Sequence, residues 1–527
     1  MIIESIRPFL AVLVPALTII FLPFLSDAKG NRLLVWSMVL DFLIVASMYP
    51  AISDGNTIHC TLNTGLNVQL AFMADALSML AGLIAIFMWM LASVFSVKYM
   101  AHEHAQCRYN VFSLLSLTGM MGVVFTKNLF SLYLFFEMLS IASYVMVIHE
   151  ESPDAAEAGL KYIFMGVCGG LILLFAIIST YAITGTGDLV EIAKISGRFA
   201  GNPMVAIIFL CFIVGFGVKA GLFPVHIWLP DAHPVAPSPA SALLSGVMIK
   251  AGAYGIIRTV YTIMGTGVLR GQTVTSILLI FAVINIFLGS AVAIKQTELK
   301  RMLAYSSISQ MGYIILGVAL MSPKALTGGV VHIFNHAIIK GTLFLCAGAF
   351  IAQTGLRQLV DLKGIGKRMP VTTACFTLAA LSMIGFPPFN GFISKWFLAL
   401  GALEATQIGT QPNWVGTGAV LLLMLSSLMN LIYYGPVIYG AWFGKVNTAA
   451  GYPVNSHNND HAHNQSSAHG QGNMQSHIKH PLPAGNDDPG LWMKIPLIIL
   501  GACIVFFGIF PQLPIGLAQQ ASQLLFH

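Results

Sequence analysis

Long apolar runs, separated by short polar or Gly/Pro-containing turns, cover most of this 527-residue chain. An apolar run of roughly 18 residues or more is long enough to cross a bilayer as a helix. The pattern therefore predicts an all-α polytopic membrane protein. About fourteen spans are predicted, at approximately 6–25, 33–52, 72–97, 110–126, 129–148, 159–183, 203–222, 240–263, 273–294, 303–321, 325–352, 371–400, 415–440 and 491–513.

Composition supports this class and excludes several others. Hydrophobic residues make up 57% of the chain and charged residues 9%, whereas a soluble protein averages about 25% charged residues. The net charge of +6 is dispersed, and nucleic-acid binding needs a clustered basic face. The seven cysteines are scattered without short pairing, so no zinc, Fe–S or disulfide framework is indicated. No cofactor is expected in this chain.

Loop charges predict the orientation. With the N-terminus outside, the odd-numbered loops hold 14 lysines and arginines and the even-numbered loops hold 6. The positive-inside rule therefore places both termini on the outer, periplasmic side. The first 25 residues lack a basic n-region and a cleavage site, which favours a retained first helix over a cleaved signal.

Residues 445–490 differ from the rest of the chain because they are polar and low in complexity. Such a segment cannot bury an apolar face, which predicts a disordered cytoplasmic loop between the last two spans. Transition-metal binding by its histidines is a second interpretation, although the surrounding Asn, Gln and Ser are more typical of a solvated segment. The histidines are His457, His461, His463, His469, His477 and His480.

Lys219 and Lys250 lie inside apolar runs on either side of a proline-rich stretch. A charged side chain in a lipid-facing span costs roughly 2.5–3.5 kcal/mol on insertion scales. Broken backbone at membrane depth survives only where it is buried in protein or lines a polar cavity. The stretch 215–258 therefore predicts an ion path. Other ionisable residues within the spans are Asp41, Asp75, Glu137, His332, His336, Lys340 and Lys395.

Glu137 lies near the middle of the fifth span, and Lys219 is its candidate partner. A buried carboxylate favours the charged form of a nearby lysine, and withdrawing the carboxylate favours proton release. Such a pair is a switchable proton holder. A static ion pair that only joins two helices remains the other interpretation.

His332, His336 and Lys340 follow one another at i, i+4 and i+8. This spacing lines them along one helix face, and histidine titrates near neutrality, as a proton relay requires. Satisfied core histidines are the second interpretation. Metal binding is disfavoured because no carboxylate or cysteine stands beside them.

Lys395 lies shortly after Pro387 and Pro388, and Lys219 lies shortly before Pro224. Two proline-broken spans, five spans apart and each with a lysine near the break, predict a repeated unit of opposite orientation, as in inverted-repeat transporters. Asp41 and Asp75 are interpreted as capping or interfacial residues. Lys300 and Arg301 are interpreted as helix anchors at the cytoplasmic end.

The chain resembles the antiporter-like subunits of respiratory complex I, the Mrp-type sodium/proton antiporters and the membrane arms of energy-converting hydrogenases. Within this group it is most similar to the D-type Mrp subunit and its hydrogenase-associated relatives. The motifs that carry the resemblance are LYLFFEMLSIASY, FGVKAGLFPVHIWLPDAHPVAPSPASALLSGVMIKAGAYGIIR, KRMLAYSSISQMGYIILG, HIFNHAIIKGTLFLCAG and IGFPPFNGFISKW.

The resemblance implies fourteen helices, inverted five-helix repeats at spans 4–8 and 9–13, and broken helices at spans 7 and 12. By motif, Glu137 and Lys219 are implied as the acid and base of a first half-channel. Lys250, with His332 and His336, is implied as the central link, and Lys395 as the terminal proton carrier. The expected regions are 1–109 (first helices), 110–263 and 264–444 (the two repeats), 445–490 (the His-rich loop) and 491–527 (last helix and tail).

The expected function is proton translocation, with Na⁺ exchange as an option, in a multisubunit complex of the bacterial inner membrane. The chain is expected to have no redox chemistry of its own and to serve an oxidoreductase complex of NADH:quinone oxidoreductase or hydrogenase type. Its expected partners are a homologous antiporter-like subunit, a redox or small antiporter module, and lipid. Two alternatives remain: a D-type subunit of a redox-independent Mrp antiporter, and a quinone-binding oxidoreductase subunit.

Overall fold

The computed structural model describes residues 1–63, 69–269, 273–405, 414–445 and 487–526. Residues 446–486 of the predicted His-rich loop, which include its six histidines, lie outside the described residues. The helices are α1 Arg7–Phe21, α2 Asp27–Ala46, α3 Tyr49–Ser53, α4 Ala76–Tyr99, α5 Gln106–Phe125, α6 Leu129–Val147, α7 Pro153–Thr184, α8 Leu189–Lys194, α9 Val205–Ala220, α10 Leu229–Val235, α11 Ser238–Leu243, α12 Ile249–Ile257, α13 Thr266–Leu269, α14 Thr273–Ile294, α15 Leu299–Ala319, α16 Pro323–Thr354, α17 Pro370–Ile384, α18 Asn390–Ala405, α19 Trp414–Phe443, α20 Leu491–Ile509 and α21 Gln512–Phe526.

Eleven helical segments in the described ranges are long and apolar enough to cross a membrane. The chain is therefore a multi-span membrane protein, as the apolar runs predict. The segments are Arg7–Phe24, Asp27–Ser53, Ala76–Tyr99, Leu129–Val147, Pro153–Thr184, Ser238–Met264, Thr275–Ile294, Leu299–Ala319, Pro323–Thr354, Trp414–Phe443 and Leu491–Ile509. Two shorter apolar helices, Val205–Ala220 and Pro370–Ile384, accompany them.

A small sheet departs from the all-α expectation. Strands β1 (Ile2–Glu4), β2 (Thr57–Asn63) and β3 (Gln69–Ala74) lie in the order β1-β2-β3, with a parallel and then an antiparallel pairing. The predicted span 72–97 included the end of β3, because the end of the strand and the following helix are both apolar. The sheet and α21 lie at one end of the bundle, where Gln520 Nε2 donates to the Ser53 carbonyl. This end is termed the terminal face.

Two spans are broken at glycines. Helix α9 ends at Gly221 (φ 69°) and α17 ends at Gly385 (φ 98°). Residues other than glycine rarely adopt these backbone conformations. A proline follows each glycine closely, at Pro224 and Pro387, so neither helix can simply resume. Each break leaves helix-end carbonyls near the centre of the bundle.

The segment Ser238–Met264 forms the centre of the protein, and every one of its residues is buried. Two π-helical stretches, Leu244–Met248 and Arg258–Met264, flank α12 within it. π-Helical turns shift the hydrogen-bond register and recur at functional sites. The segment packs against α9, α15 and α16, while α1, α2, α7, α14, α19 and α20 expose apolar side chains.

The pairs α6–α7 and α15–α16 are closed by the same backbone hydrogen bonds and the same caps. In each pair, the amide of the first residue of the first helix donates to a carbonyl just after the second helix. An amide two residues further on donates to a carbonyl just before the first helix. Residue numbers in the two sets differ by 170 throughout. In the first set, Leu129 N donates to Gly187 O and Leu189 N to Lys127 O, Ser152 caps the start of α7, and Gly185 follows its end. In the second set, Leu299 N donates to Arg357 O and Leu359 N to Thr297 O, Ser322 caps the start of α16, and Gly355 follows its end.

Candidate functional site

Lys219 lies in the last turn of α9, beside the first break, and is buried. Its Nζ donates to Ser143 Oγ at 2.9 Å and to Tyr162 OH at 2.5 Å. Placing an ammonium near a helix C-terminus is favourable because the helix dipole is negative there. Hydroxyl groups can accept or donate, so this pocket accommodates both the charged and the neutral lysine.

Glu137 is half-buried on α6, with its carboxylate against Gly170 of α7. Its Oε1 accepts no hydrogen bond from the described residues. No ion pair within 4.0 Å joins Glu137 to Lys219, although the two charges interact electrostatically. Glu137 and Lys219 therefore interact across a gap rather than as a contact ion pair.

Lys250 lies in α12 and is buried. The Ile249 amide bonds to the Leu244 carbonyl because of the π-helical register. The carbonyl of Ser245 is thereby available, and it accepts from Lys250 Nζ at 2.5 Å. Ser245 Oγ is hydrogen-bonded to Ser307 Oγ of α15 at 2.7 Å, which connects the central segment to the second half of the protein.

His332 and His336 stack on one another on α16, with ring centroids 5.6 Å apart. His332 Nδ1 is hydrogen-bonded to Ser394 Oγ (2.8 Å) and Nε2 to Gln310 Oε1 (3.1 Å). Neither ring nitrogen of His336 has a hydrogen-bond partner among the described residues. The predicted single face is therefore formed, with one fixed imidazole and one free to exchange a proton.

Lys340 continues the same face of α16. Its Nζ donates to the Leu303 carbonyl and to Ser306 Oγ, both at 2.8 Å. Ser306 Oγ is in turn hydrogen-bonded to Tyr434 OH at 2.9 Å. Lys250 interacts electrostatically with all three predicted α16 residues, so the structure brings this central group together.

Lys395, in α18, lies at the second break. Its Nζ donates to the carbonyls of Met383 and Ile384, the last residues of α17, at 2.9 Å each, and to Ser427 Oγ at 3.0 Å. The ammonium also lies 5.2 Å from the ring centroid of Tyr313. The ring of Tyr313 is in turn 5.4 Å from that of His332, so Tyr313 joins Lys395 to the central group.

Sequence reasoning missed His233 and gave Lys300 only an anchoring role. The buried His233 ring stacks on Phe344 with centroids 4.6 Å apart, and neither nitrogen has a hydrogen-bond partner among the described residues. Lys300 is also buried, and its Nζ donates to the Ala236 carbonyl at 2.6 Å. His233 could have been recognised from the sequence because it lies between Lys219 and Lys250. Nothing in the sequence showed that Lys300 lies in the interior rather than at the membrane interface.

Glu150 connects this group with the surface opposite the terminal face. It is half-buried in the loop after α6 and interacts electrostatically with Lys300 and Arg357. Burial raises the pKa of the Glu150 carboxyl above its ordinary value, and this outweighs the opposing effect of the two basic residues. A carboxyl with a raised pKa can take up a proton under milder conditions than an exposed one.

Two further predicted positions have different roles. Asp75 caps α4, accepting from the Ser78 amide at 2.9 Å, and also forms an ion pair with the buried Arg258 at 2.7 Å. The second contact was not predicted. Asp41 is fully buried on α2, and neither carboxylate oxygen has a hydrogen-bond partner in the described part of the chain. Within the described residues, no cluster of three or more His, Cys, Asp or Glu is arranged to hold a metal.

Comparisons with known proteins identify the family. The family described as NADH:quinone oxidoreductase/Mrp antiporter, TM, matches residues 126–415, and the complex I chain 5 N-terminal family matches residues 62–110. NADH-quinone oxidoreductase subunit N of Desulforudis audaxviator is 38% identical over 62% of this chain and 64% of its own length. The chain thus spans less than two thirds of that relative.

Two other similarities extend further along the chain. The D-type Na⁺/H⁺ antiporter subunit of Alkalihalophilus pseudofirmus is 29% identical over 81% of this chain and 86% of its own length. A chain of the archaeal membrane-bound sulfane sulfur reductase, a respiratory membrane complex, superposes with a TM-score of 0.83 at 26% identity, covering 99% of this chain and 98% of that one. The resemblance inferred from the motifs is thereby confirmed, and the chain belongs to the NADH:quinone oxidoreductase/Mrp antiporter transmembrane family.

Proposed function

We propose that this chain is a proton-translocating subunit of a multisubunit membrane complex. One observation carries the proposal. Lys219, Lys250, Lys340 and Lys395 are buried, and among the described residues no carboxylate oxygen lies within 4.0 Å of their Nζ atoms. Four permanent buried charges without counter-ions would be prohibitively costly, whereas lysines that release their protons are not.

The first half of the relay is Glu137 and Lys219. The Glu137 charge favours the protonated lysine, and the hydroxyls of Ser143 and Tyr162 stabilise the lysine in either state. Movement of Glu137 away from Lys219, or its neutralisation, releases the lysine proton toward Lys250. The half-buried position of Glu137 at the lateral surface of α6 lets a neighbouring subunit control it.

The second half runs from Lys250 through His336 and His332 to Lys395. The free nitrogens of His336 can accept and donate a proton, and His332 is already bonded to Ser394 and Gln310. Lys340 holds a further proton on the same helix face, and its Nζ donates to Ser306 Oγ. Protons reach the centre from the face opposite the terminal face, by way of Glu150, Lys300 and His233.

We also propose fourteen spans in two inverted repeats, spans 4–8 and 9–13. The support is the matched set of hydrogen bonds separated by 170 residues, together with α5, α9 and α17, which add three spans to the eleven long apolar segments. The matched loops lie at opposite ends of the bundle, as inversion requires. The regions are those expected from the sequence: 1–109, 110–263, 264–444, the His-rich loop 445–490, and 491–527.

The proposed setting is a bacterial inner membrane with both termini on the outer side, because most of the lysines and arginines in the predicted loops then face the cytoplasm. A redox module in a partner chain is the proposed source of energy, because the 38% identical relative is a subunit of an NADH-quinone oxidoreductase. The second candidate is a D-type component of a redox-independent Mrp antiporter that exchanges Na⁺ for H⁺. It is favoured by the antiporter relative that aligns over 81% of the chain.

Lys219→Ala and Lys395→Ala in the assembled complex test the proposal. Each removes an obligatory proton carrier, so proton uptake into proteoliposomes, followed with a pH-sensitive dye, should fall by about a hundredfold, as expected for loss of a positioned proton-transfer group. Lys98→Ala, at an exposed lysine in the last turn of α4, is the matched control and should transport normally. Near-normal uptake in both relay variants, with full assembly, would contradict the proposal.

A further inference from the structure

A cavity of about 220 Å³ lies on the side of the bundle, between the ends of α14 and α19 and the loop that joins α16 to α17. It is lined by Ile294, Gln296, Val360, Lys363 and Ile432, among others, and is termed the lateral cavity. Ile294, Val360 and Ile432 are exposed. The lateral cavity therefore opens sideways, towards the surrounding bilayer, rather than into the protein.

A matching cavity of about 530 Å³ lies at the terminal face, but it has a different cover. Leu189 and Val190 line it, and the positions 170 residues further on, Leu359 and Val360, line the lateral cavity. Residues 524–526, at the end of α21, also line the cavity at the terminal face. No described residue of α20 or α21 lines the lateral cavity. In the proposed repeat, the lateral cavity thus lacks the apolar cover that its counterpart receives from α21.

The end of α19 marks the level of the membrane interface beside the lateral cavity. Tyr439 and Phe443 are exposed there, with ring centroids 5.4 Å apart, and exposed tyrosines are enriched at the boundary between lipid headgroups and acyl chains. The lateral cavity follows α19 from Gly440 back to Ile432, a distance of about 12 Å. It therefore reaches from the headgroup level into the acyl-chain level.

Two lysines stand at the headgroup end of the lateral cavity. Lys363 lines it, and Lys295 lies between Ile294 and Gln296, which also line it. Both lysines are exposed, and neither forms an ion pair with a described residue. None of the described residues that line the lateral cavity is acidic. An anionic group is therefore the complementary ligand at this end.

The backbone holds Lys363 in place against α19. The Gly364 amide donates to the Gly440 carbonyl at 2.9 Å. A Cβ added at Gly444 would lie 2.8 Å from Lys363 Cβ, so glycine at this position lets the lysine stem lie directly against the helix end. The position of the ammonium is thus limited by the fold and not only by the side chain's own flexibility.

We propose that the lateral cavity binds an anionic glycerophospholipid of the bilayer. Its phosphate lies beside Lys363 and Lys295, and one acyl chain runs along α19 past Ile432. The lateral cavity is smaller than the roughly 300–1,000 Å³ of sites that enclose a whole small molecule, which fits a ligand of which only a part enters. Basic pockets between membrane helices are suited to anionic headgroups. The inference does not depend on proton translocation.

Site-specific photo-crosslinking tests the occupant. Val360, which is 60% exposed, is replaced by a photoreactive phenylalanine derivative in the assembled complex, in vesicles of phosphatidylglycerol and phosphatidylcholine in equal amounts. The same derivative at Leu421, which is 61% exposed on α19 and does not line the lateral cavity, samples unselected lipid. Phosphatidylglycerol should be enriched about fivefold or more in the Val360 adducts relative to the Leu421 adducts, because a lysine near the membrane surface favours anionic lipid by about this factor.

Lys363→Gln tests the role of charge, because it removes the ammonium and keeps a side chain of similar length. The enrichment at Val360 should fall about fivefold. Lys98→Gln, at an exposed lysine in the last turn of α4, is the control and should keep the enrichment. Equal lipid composition at Val360 and Leu421, enrichment that persists in Lys363→Gln, or the absence of a lipid adduct at Val360 would overturn the proposal. So would a Val360 adduct formed mainly with a partner chain or with another segment of this chain.

Discussion

Neutral oxygen atoms surround each buried lysine, but their chemistry differs from one lysine to the next. Lys219 donates to two hydroxyls, whereas Lys395 donates to two backbone carbonyls and one hydroxyl. Carbonyls only accept, so they favour the lysine as donor whatever its charge, whereas hydroxyls can reverse their role. Lys219 is therefore the position at which a change of protonation requires the least rearrangement.

Tyr162→Phe tests whether the Tyr162 hydroxyl stabilises the protonated form of Lys219, because it removes only that oxygen atom. Removing an acceptor from a buried charged group costs about 1–3 kcal/mol, which corresponds to roughly a ten- to hundredfold lower rate if the protonated lysine is on the path. The measurement is the initial rate of proton uptake in reconstituted complexes. Tyr181→Phe, at an exposed tyrosine of α7, is the control, and equal rates for the two variants would contradict the role of the Tyr162 hydroxyl.

Site residues could be predicted from the sequence where a charged side chain lies within an apolar run, because burying that charge is costly. Lys219, Lys250 and Lys395 were predicted because a lysine within an apolar run demands an explanation. His233, Lys300 and Arg258 were not, because their burial depends on how the chain folds at span ends. The separation of Glu137 from Lys219 was also not predictable, since it reflects side-chain direction rather than residue spacing.

At the scale of elements, the contact between α6 and α7 positions Glu137. A Cβ added at Gly170 would overlap the Glu137 carboxylate, whereas one at Gly166, a turn earlier on the same helix, would meet no described heavy atom within 4 Å. Gly170→Ala should therefore displace Glu137 and reduce proton transport by about tenfold, as for loss of an interaction near 1.4 kcal/mol.

Gly166→Ala is the matched control and should retain transport, because its methyl group enters open space. Both variants should assemble equally well as judged by co-purification of the complex. Equal activity of the two variants would contradict a role for the position of Glu137.

The loop between α6 and α7 makes a pH-dependent contribution to stability. Burial, with the nearby charges of Arg108 and His104, lowers the pKa of His149 to about 4 from an ordinary 6.5. Between these values the unfolded chain binds a proton that the folded chain does not, so stability falls as pH falls from about 6.5 to about 4. Above that window the residue contributes no pH dependence.

His149→Gln should flatten the loss of thermal stability between pH 6.5 and 4, because glutamine does not titrate. The measurement is the unfolding midpoint of the purified protein in detergent across this range. Parallel curves for the variant and the unmodified protein in this window, rather than only above it, would contradict the assignment.

Element positions followed closely from the hydrophobic pattern, because a lipid-facing helix must be apolar over its whole length. The breaks after α9 and α17 were foreseen from their prolines. The sheet was not, since β3 continues directly into α4 and the two form one apolar run. The π-helical stretches have no residue signature of their own and could not be anticipated.

On the scale of the whole molecule, the proposed relay runs from the first half of the chain, at Lys219, into the second half, at Lys395. Adding 170 to Ser143 and Tyr162, which surround Lys219, gives Tyr313 and His332, which connect Lys395 to the centre. In the proposed repeat, equivalent positions therefore contribute different side chains to the two ends of the proposed relay. The sequence suggested the repeat through two broken spans, but this correspondence depends on the backbone hydrogen bonds that define the register.

The buried lysines are proposed to act by releasing protons rather than by carrying fixed charge. Lys250→Arg separates these roles, because arginine keeps the positive charge and does not deprotonate in proteins. Proton transport by the fully assembled complex, measured beside Lys98→Arg as the control, should be lost in Lys250→Arg and retained in the control. Transport at the unmodified rate in Lys250→Arg would contradict the account.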